Sequence, residues 1–274
     1  MTPNEVRDVV GGYPHSPHER GVLLYEFIRE KRIRYVLELG FNHGVSTCYA
    51  AAAIASQGEG RVVTVDRQQT AAYEPNLEIF LTRLGLRHLV TPFYEYSTYN
   101  WRLHEFLRMN PRPIFDLVFL DGGHLFEPDA LAFLLSEMLV RPGGHFIFDD
   151  INWSLASSAT AGKAQFTFSP EEIEAKQVRE IVDVLVRPHP NIETWWEDHK
   201  WGFARKKPGR APRWDDRVTK LLDPVSQLSH QRAVANFPIP IKVDAGMAPV
   251  AWQSAINRGV AANVEARQKR NSTN

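Results

Sequence analysis

The sequence is short of most features that would narrow its function quickly. It has one cysteine, Cys48, in 274 residues, so no disulfide can form within the chain. Cys48 follows Ser46 and Thr47 in an alanine-rich stretch and reads as a small buried apolar residue rather than a nucleophile. It has no excess of charge: Lys+Arg and Asp+Glu both total 32. No global field of one sign draws in nucleic acid or an anionic membrane, and neither is expected as a partner. No apolar run approaches the roughly 18 residues of a membrane span. The polar start Met1–Asp8 has no apolar signal region, so a reducing cytoplasm is the expected compartment. Two phosphate-binding signatures are missing as well. G-x-G-x-x-G fails because positions 42 and 45 are Asn and Val, and no Gly-Lys-Ser/Thr occurs.

What is present is ordinary soluble-protein composition, 43% hydrophobic and 23% charged, at a length that allows one large domain or one domain with an appendage. Residues 1–18 read as a polar, turn-rich arm. From 19 to 205 helical and strand patterns alternate. Apolar positions of helical spacing run over Glu19–Glu30, followed by a strand at Arg34–Leu39 and a helix opening at Ser46. A strand at Arg61–Asp66, a helix at Pro75–Leu84 and a short strand at Leu89–Tyr94 follow. Next come a helix at Trp101–Met109, an apolar run at Leu117–Leu120, a helix around Pro128–Val140 and a run at Phe146–Phe148. Ser169-Pro-Glu-Glu has a serine cap, proline at the first position and acids in the first turn, which favour a helix, here to about Val186. Asn191–Trp196 and Lys200–Ala204 read as a hairpin. This is an α/β domain: a doubly wound, mostly parallel seven-stranded sheet with an antiparallel closing hairpin. Residues 206–274 are a C-terminal extension with little pattern, and that tail is the candidate for building a homodimer.

Chemistry concentrates at 115–153. Leu117–Leu120 stops at Asp121, and Phe146–Phe148 stops at Asp149-Asp150. In an open parallel sheet both strand ends emerge on one edge, where ligands bind. Three carboxylates and His124 would then meet in one small volume. Without a cation such acids repel and one of them is driven to hold its proton. The plainer alternatives are that Asp121 caps the next helix, that the acid pair sits in loop hydrogen bonds and that His124 merely packs. His145, at the start of its strand, reads as structural. Of the adjacent Trp195 and Trp196, alternation sends one into the core and leaves the other for a partner or substrate.

A second constellation lies upstream: Glu38-x-Gly40-x3-Gly44-x-Ser46 on a strand–turn–helix, with Asp66 ending the next strand. Glycines there let the backbone turn sharply and approach a ligand. The pattern resembles the first motif of class I S-adenosylmethionine-dependent methyltransferases, in which the acid after the second strand accepts the ribose hydroxyls. Asp116–His124 followed by Arg141-Pro-Gly-Gly and Asp149-Asp150 resembles the metal-dependent O-methyltransferases of the catechol and caffeoyl-CoA types. The resemblance covers about residues 20–205. It implies S-adenosylmethionine framed by Glu38, Gly40, Asn42, Gly44, Ser46, Thr47, Asp66, Arg67, Tyr96 and Asp121. It also implies Mg²⁺ or a similar ion on Asp121, Asp149 and Asp150. Ser46 or Thr47 either touches the cofactor or caps the helix; Tyr96 lies either where adenine is held or on an exposed loop. Catechol enzymes have a lysine base three residues after the first aspartate, and this chain has His124. Sugar O-methyltransferases of macrolide biosynthesis are closer, with histidine there.

The chemistry of the side chains agrees. An alcohol must lose its proton as it attacks a sulfonium methyl. A hard cation held by carboxylates would acidify that hydroxyl. Imidazole, with an ordinary pKa of about 6.5, is suited to take the proton at neutral pH. The expectation is an O-methyltransferase acting on a hydroxylated small molecule, a sugar or natural-product alcohol, with divalent-metal assistance; the alternatives are a metal-independent O- or N-methyltransferase in which the acids only orient substrate, and a cofactor-binding protein without turnover.

Overall fold

The computed structural model describes residues 1–12, 16–109, 113–157, 168–198 and 200–209. The greater part of the loop before Ser169, and the C-terminal tail with its expected part in a homodimer, lie outside the described residues. So do His15 and His199.

The first departure from expectation is at the N-terminus, where the arm is a helix, α1 (Pro3–Val10). Thr2 accepts from the Glu5 amide, and the Glu5 carboxylate takes the Thr2 amide at 2.6 Å. With Pro3 at the first position this is a reciprocal cap that stabilises the first turn. Val6 and Val10 are buried, so α1 is part of the core. The elements that follow are α2 (His18–Glu30), β1 (Tyr35–Leu39), α3 (Val45–Gln57), β2 (Arg61–Arg67), α4 (Leu77–Leu84), β3 (Val90–Glu95) and α5 (Tyr99–Met109). Then come β4 (Phe115–Leu120), α6 (Phe126–Glu137), β5 (Val140–Phe148), α7 (Pro170–Glu174), α8 (Gln177–Ile181), β6 (Ile192–Asp198) and β7 (Trp201–Lys206).

The strands form one seven-stranded sheet in the order β3-β2-β1-β4-β5-β7-β6. β1 to β5 are parallel, β7 runs antiparallel to β5, and β6 antiparallel to β7. The doubly wound sheet and its closing hairpin are therefore as expected. Side chains on alternate residues serve two cores. On β1, Val36 packs with α1 to α4, while Leu37 and Leu39 pack with α5, α6 and α8. That is the period of two that a strand covered on both faces requires.

Three departures change the local structure, beyond ends that shift by one to three residues. α4 begins at Leu77, behind an Asn76 cap that accepts from Ile79 N at 3.1 Å, and Pro75 lies outside it. β5 begins at Val140, where a strand was expected only from about Phe146. Phe115 pairs with Val140 and Leu117 with His145, so Arg141-Pro-Gly-Gly144 is a bulge within the strand rather than a turn before it. Beyond Ser169 the single helix expected to Val186 is two pieces. α7 ends at Ala175, which is extended, and α8 then continues into a π-helical turn at Val182–Val186. Among the described residues no helix is long and apolar enough to cross a membrane.

Candidate active site

The strand order reverses at β1, whose neighbours are β2 and β4. Crevices at such a reversal are where open α/β sheets bind ligands. Leu39 pairs with Leu120, so the turns that follow β1 and β4 start side by side. Gly40 (φ +92°) lies so close to the second turn that a Cβ there would fall 1.9 Å from the Asp121 carbonyl oxygen. The next turn residues lead to Gly44 (φ +89°), which caps α3.

Beneath this turn Glu38 is buried. Its carboxylate accepts from Ser46 Oγ at 2.5 Å, from Thr64 Oγ1 at 2.7 Å and from Thr47 Oγ1. Burial raises its pKa, and the three hydroxyls hold it down. Glu38 and Thr47 thus tie the turn to β2 from inside, and their oxygens face each other rather than the cleft. Both residues shape the turn from beneath it. Gly40 and Ser46 are partly exposed, and Asn42 is exposed.

Asp66 reaches the same turn. Its Oδ2 accepts the amides of Phe41 at 2.8 Å and Asn42 at 2.6 Å, and Oδ1 accepts the Arg67 amide at 2.6 Å. The expected ribose acid is engaged by backbone at three of its four lone-pair sites, which leaves one, on Oδ1, for a hydroxyl. Arg67 points outward, and Tyr96 is 81% exposed, which accords with the exposed-loop alternative. His43, in the glycine turn, has Nδ1 2.6 Å from the Pro75 carbonyl and its ring 4.7 Å from that of Tyr73.

The acids at the ends of β4 and β5 do converge with the histidine. His124 Nε2 lies 3.9 Å from Asp121 Oδ1 and 4.0 Å from Asp150 Oδ2, with the Trp153 ring 5.3 Å from the imidazole. Desolvation and the neighbouring Asp149 carboxylate push Asp121 well above the usual carboxylate range. Asn42, His124 and Asp150 all have positive φ, at +51°, +55° and +48°. These residue types tolerate the left-handed region better than most, and here each sits just past a strand at the cleft. Such backbone is held by its surroundings. For His124 the holding group is Asp129, buried on α6. It accepts from Tyr99 Oη, and the His124, Gly123 and Leu125 amides also bear on it. His145, by contrast, is buried in β5 with Phe27 edge-on at 5.3 Å, and burial lowers its pKa to about 4. It is structural, as its position implied.

Arg20, on α2, carried no weight in the sequence and is central here. Its Nη1 donates to Asp149 Oδ1 at 2.9 Å and Oδ2 at 3.1 Å, and its Nη2 to Asp150 Oδ1 at 2.9 Å. Burial works against the guanidinium charge, but Asp149 and Asp150 outweigh it and raise its pKa. Asp149 Oδ1 also accepts from Trp201 Nε1 at 2.6 Å and from the Asp150 amide at 2.7 Å. An oxygen with three donors on it has no lone pair left for a metal. Asp149 Oδ1 is therefore closed to a divalent ion, and Arg20 also occupies Asp149 Oδ2 and Asp150 Oδ1. Among the described residues no group of His, Cys, Asp and Glu is arranged to hold one. Arg20, Ser46, Asp121, Asp149 and Trp201 share one pocket, walled by Leu24, Tyr49 and Phe119.

Residues 37–151 match a family model described as a methyltransferase domain. No curated protein matches the chain. Among solved structures, the chain is similar to the O-methyltransferase TomG from Streptomyces achromogenes, involved in tomaymycin synthesis, in complex with SAM. Identity is 20% and the TM-score 0.54, over 75% of this chain and 89% of that one. It is similar to an O-methyltransferase from Bacillus cereus in complex with SAH, at 18% identity and TM-score 0.54, over 76% and 92% of the chains. A third is described as a putative caffeoyl-CoA O-methyltransferase from Staphylococcus aureus, at 16% identity and TM-score 0.52, over 75% and 92%. At these identities the likeness is one of fold.

Proposed function

We propose that this chain, a methyltransferase of the class I fold, moves the methyl group of S-adenosylmethionine to a hydroxyl of a small molecule. The observation that carries the proposal is His124 Nε2 within 4.0 Å of both Asp121 and Asp150, on the strand edge that also carries the Gly40 turn. The acceptor O–H gives its proton to His124 Nε2 as the oxygen attacks. The new O–CH₃ bond forms while the S–CH₃ bond breaks, and the bonding pair stays on sulfur, giving neutral S-adenosylhomocysteine. The turn at Gly40–Gly44, shaped from below by Glu38 and Thr47, receives the cofactor beside Asp66. Proximity of this kind is worth up to roughly 7–11 kcal/mol when the reacting atoms are aligned.

The sugar or natural-product alcohol is the acceptor class that the histidine favours, by resemblance to the macrolide sugar enzymes. Magnesium assistance is the other half of that resemblance. Two of its three ligands, Asp149 and Asp150, are engaged by Arg20, and Asp149 also by Trp201 and the Asp150 amide, so no step is assigned to it. The test is S-adenosylhomocysteine release against a panel of hydroxylated acceptors, with and without EDTA. Release with an alcohol acceptor, lost in His124→Ala, supports the assignment. Release only with amines or thiols would replace it.

A further inference from the structure

Arg20 lies in the first turn of α2, and that helix is fixed to the core beneath the cleft. Leu24 and Ile28 are buried. A Cβ on Gly21 would fall 2.4 Å from the Tyr49 ring, so α2 lies directly on α3 at the residue after Arg20. His18 Nδ1 is 2.8 Å from Tyr49 Oη on the same contact. The guanidinium is thus delivered by a rigid element. It meets Asp149 through both carboxylate oxygens and Asp150 through one, with side chains 19%, 6% and 22% exposed respectively.

This is the position at which the resemblance to the catechol-type enzymes puts a divalent ion. Both kinds of cation would answer the same need, which is to hold two adjacent carboxylates together out of water. They do so in incompatible ways. A guanidinium donates planar, directed N–H bonds and keeps its charge at any working pH. Magnesium requires bare oxygen lone pairs at about 2.0–2.1 Å in an octahedron. A metal entering here would have to expel an arginine whose loss leaves α2 with a buried, unpaired positive charge.

We infer that Arg20 is a built-in cation: its guanidinium fills the divalent-ion place on Asp149 and Asp150, so the protein binds no divalent metal there. This rests on the proposed methyl transfer only for its catalytic consequence, which is turnover indifferent to chelators. The aspartates use two of the five guanidinium N–H groups, one Nη1–H shared between the two Asp149 oxygens and one Nη2–H on Asp150. Nε–H and the second Nη2–H bond to no group among the described residues.

The experiment is titration of the full chain with Mn²⁺, read by electron paramagnetic resonance and by thermal melting, in wild type, Arg20→Ser and Arg20→Ser/Asp149→Asn. Wild type should leave Mn²⁺ free and its melting temperature unchanged at millimolar metal. Arg20→Ser should gain one bound Mn²⁺ per chain and be stabilised by it, and the double variant should lose that site. Site-specific Mn²⁺ binding to wild type, abolished by Asp149→Asn, would overturn the inference, and so would an Arg20→Ser protein as blind to Mn²⁺ as wild type. Should Arg20→Ser not fold, the wild-type titration with Asp149→Asn as its control still decides. These readouts need no acceptor, so a failure of the methyl-transfer proposal would be seen separately.

Discussion

Arg20 Nη1 meets the carboxylate of Asp149, 129 residues away in sequence, at 2.9 and 3.1 Å. The pair joins the first turn of α2 to the end of β5. Replacing Arg20 by Ala should therefore cost stability as well as activity. Breaking a buried pair by removing one partner costs about 3–5 kcal/mol, and the partial exposure of Arg20 puts this one at the lower end. Urea unfolding of Arg20→Ala against wild type checks it. Arg20→Lys keeps the charge but not the forked geometry, and should fall between the two.

His124→Ala removes the proposed base while Asp129 and the surrounding amides still hold the loop. Turnover should fall about 10²–10⁴-fold, the usual worth of a positioned general base, with the melting temperature lowered by only the small cost of alanine in a left-handed backbone (φ +55°), about 1–2 kcal/mol. Steady-state kinetics on the best acceptor, paired with a thermal melt, separates this from a folding defect.

Asp129 predicts a pH dependence of stability. Burial raises its pKa from 3.8 to about 7. Between those values the unfolded chain gives up the proton and the folded one keeps it, so stability falls as pH rises from about 4 to about 7. The loss from this group is complete above about 7 and amounts to about 4 kcal/mol as an order of magnitude. In Asp129→Asn that slope should flatten. Chemical unfolding at several pH values from 4 to 8 measures it, and an unchanged slope would mean that Asp129 is ionised in the folded protein.

Gly40→Ala places a methyl group 1.9 Å from the Asp121 carbonyl oxygen in a backbone with φ +92°. Neither the strand end nor the φ can relax without the other, and a loss of about 3 kcal/mol or more is expected. Gly44→Ala also has positive φ, and its closest contacts are Leu77 Cδ1 at 2.4 Å and Cβ at 2.9 Å rather than a backbone oxygen at 1.9 Å. It should be the milder of the two. Melting temperatures of the two variants rank them, and calorimetric titration with S-adenosylhomocysteine tests whether Gly40→Ala also weakens cofactor binding.

Much of the fold was legible because its signals are local. The apolar runs at 36–39, 62–65 and 117–120 alternate with amphipathic stretches of helical length, and this pattern admits few arrangements other than a doubly wound sheet. The N-terminal helix was missed although its signal was present: Thr2-Pro-x-Glu5 is a capping box with proline inside it, and Val6 and Val10 lie one helical turn apart. The bulge at Arg141–Gly144 was not legible. Pro-Gly-Gly reads locally as a turn, and only pairing with β4 makes it an interruption within one strand.

The candidate site divides along the same line. Gly40, Asp66, Asp121, His124 and the Asp149–Asp150 pair stand at strand ends that hydrophobic periodicity locates, and one edge of a parallel sheet must collect them. Burial of Glu38 and Thr47 beneath the turn, rather than in the cleft, depends on which face of β1 is covered by α3. Arg20 depends on more. Its helix has to dock on Tyr49 before the guanidinium can reach two aspartates far along the chain. Periodicity records how each segment buries its own face and so determines the sheet and its acidic edge. Which cation meets those acids is a matter of three-dimensional reach between distant segments, and only the packing of α2 on α3 decided it.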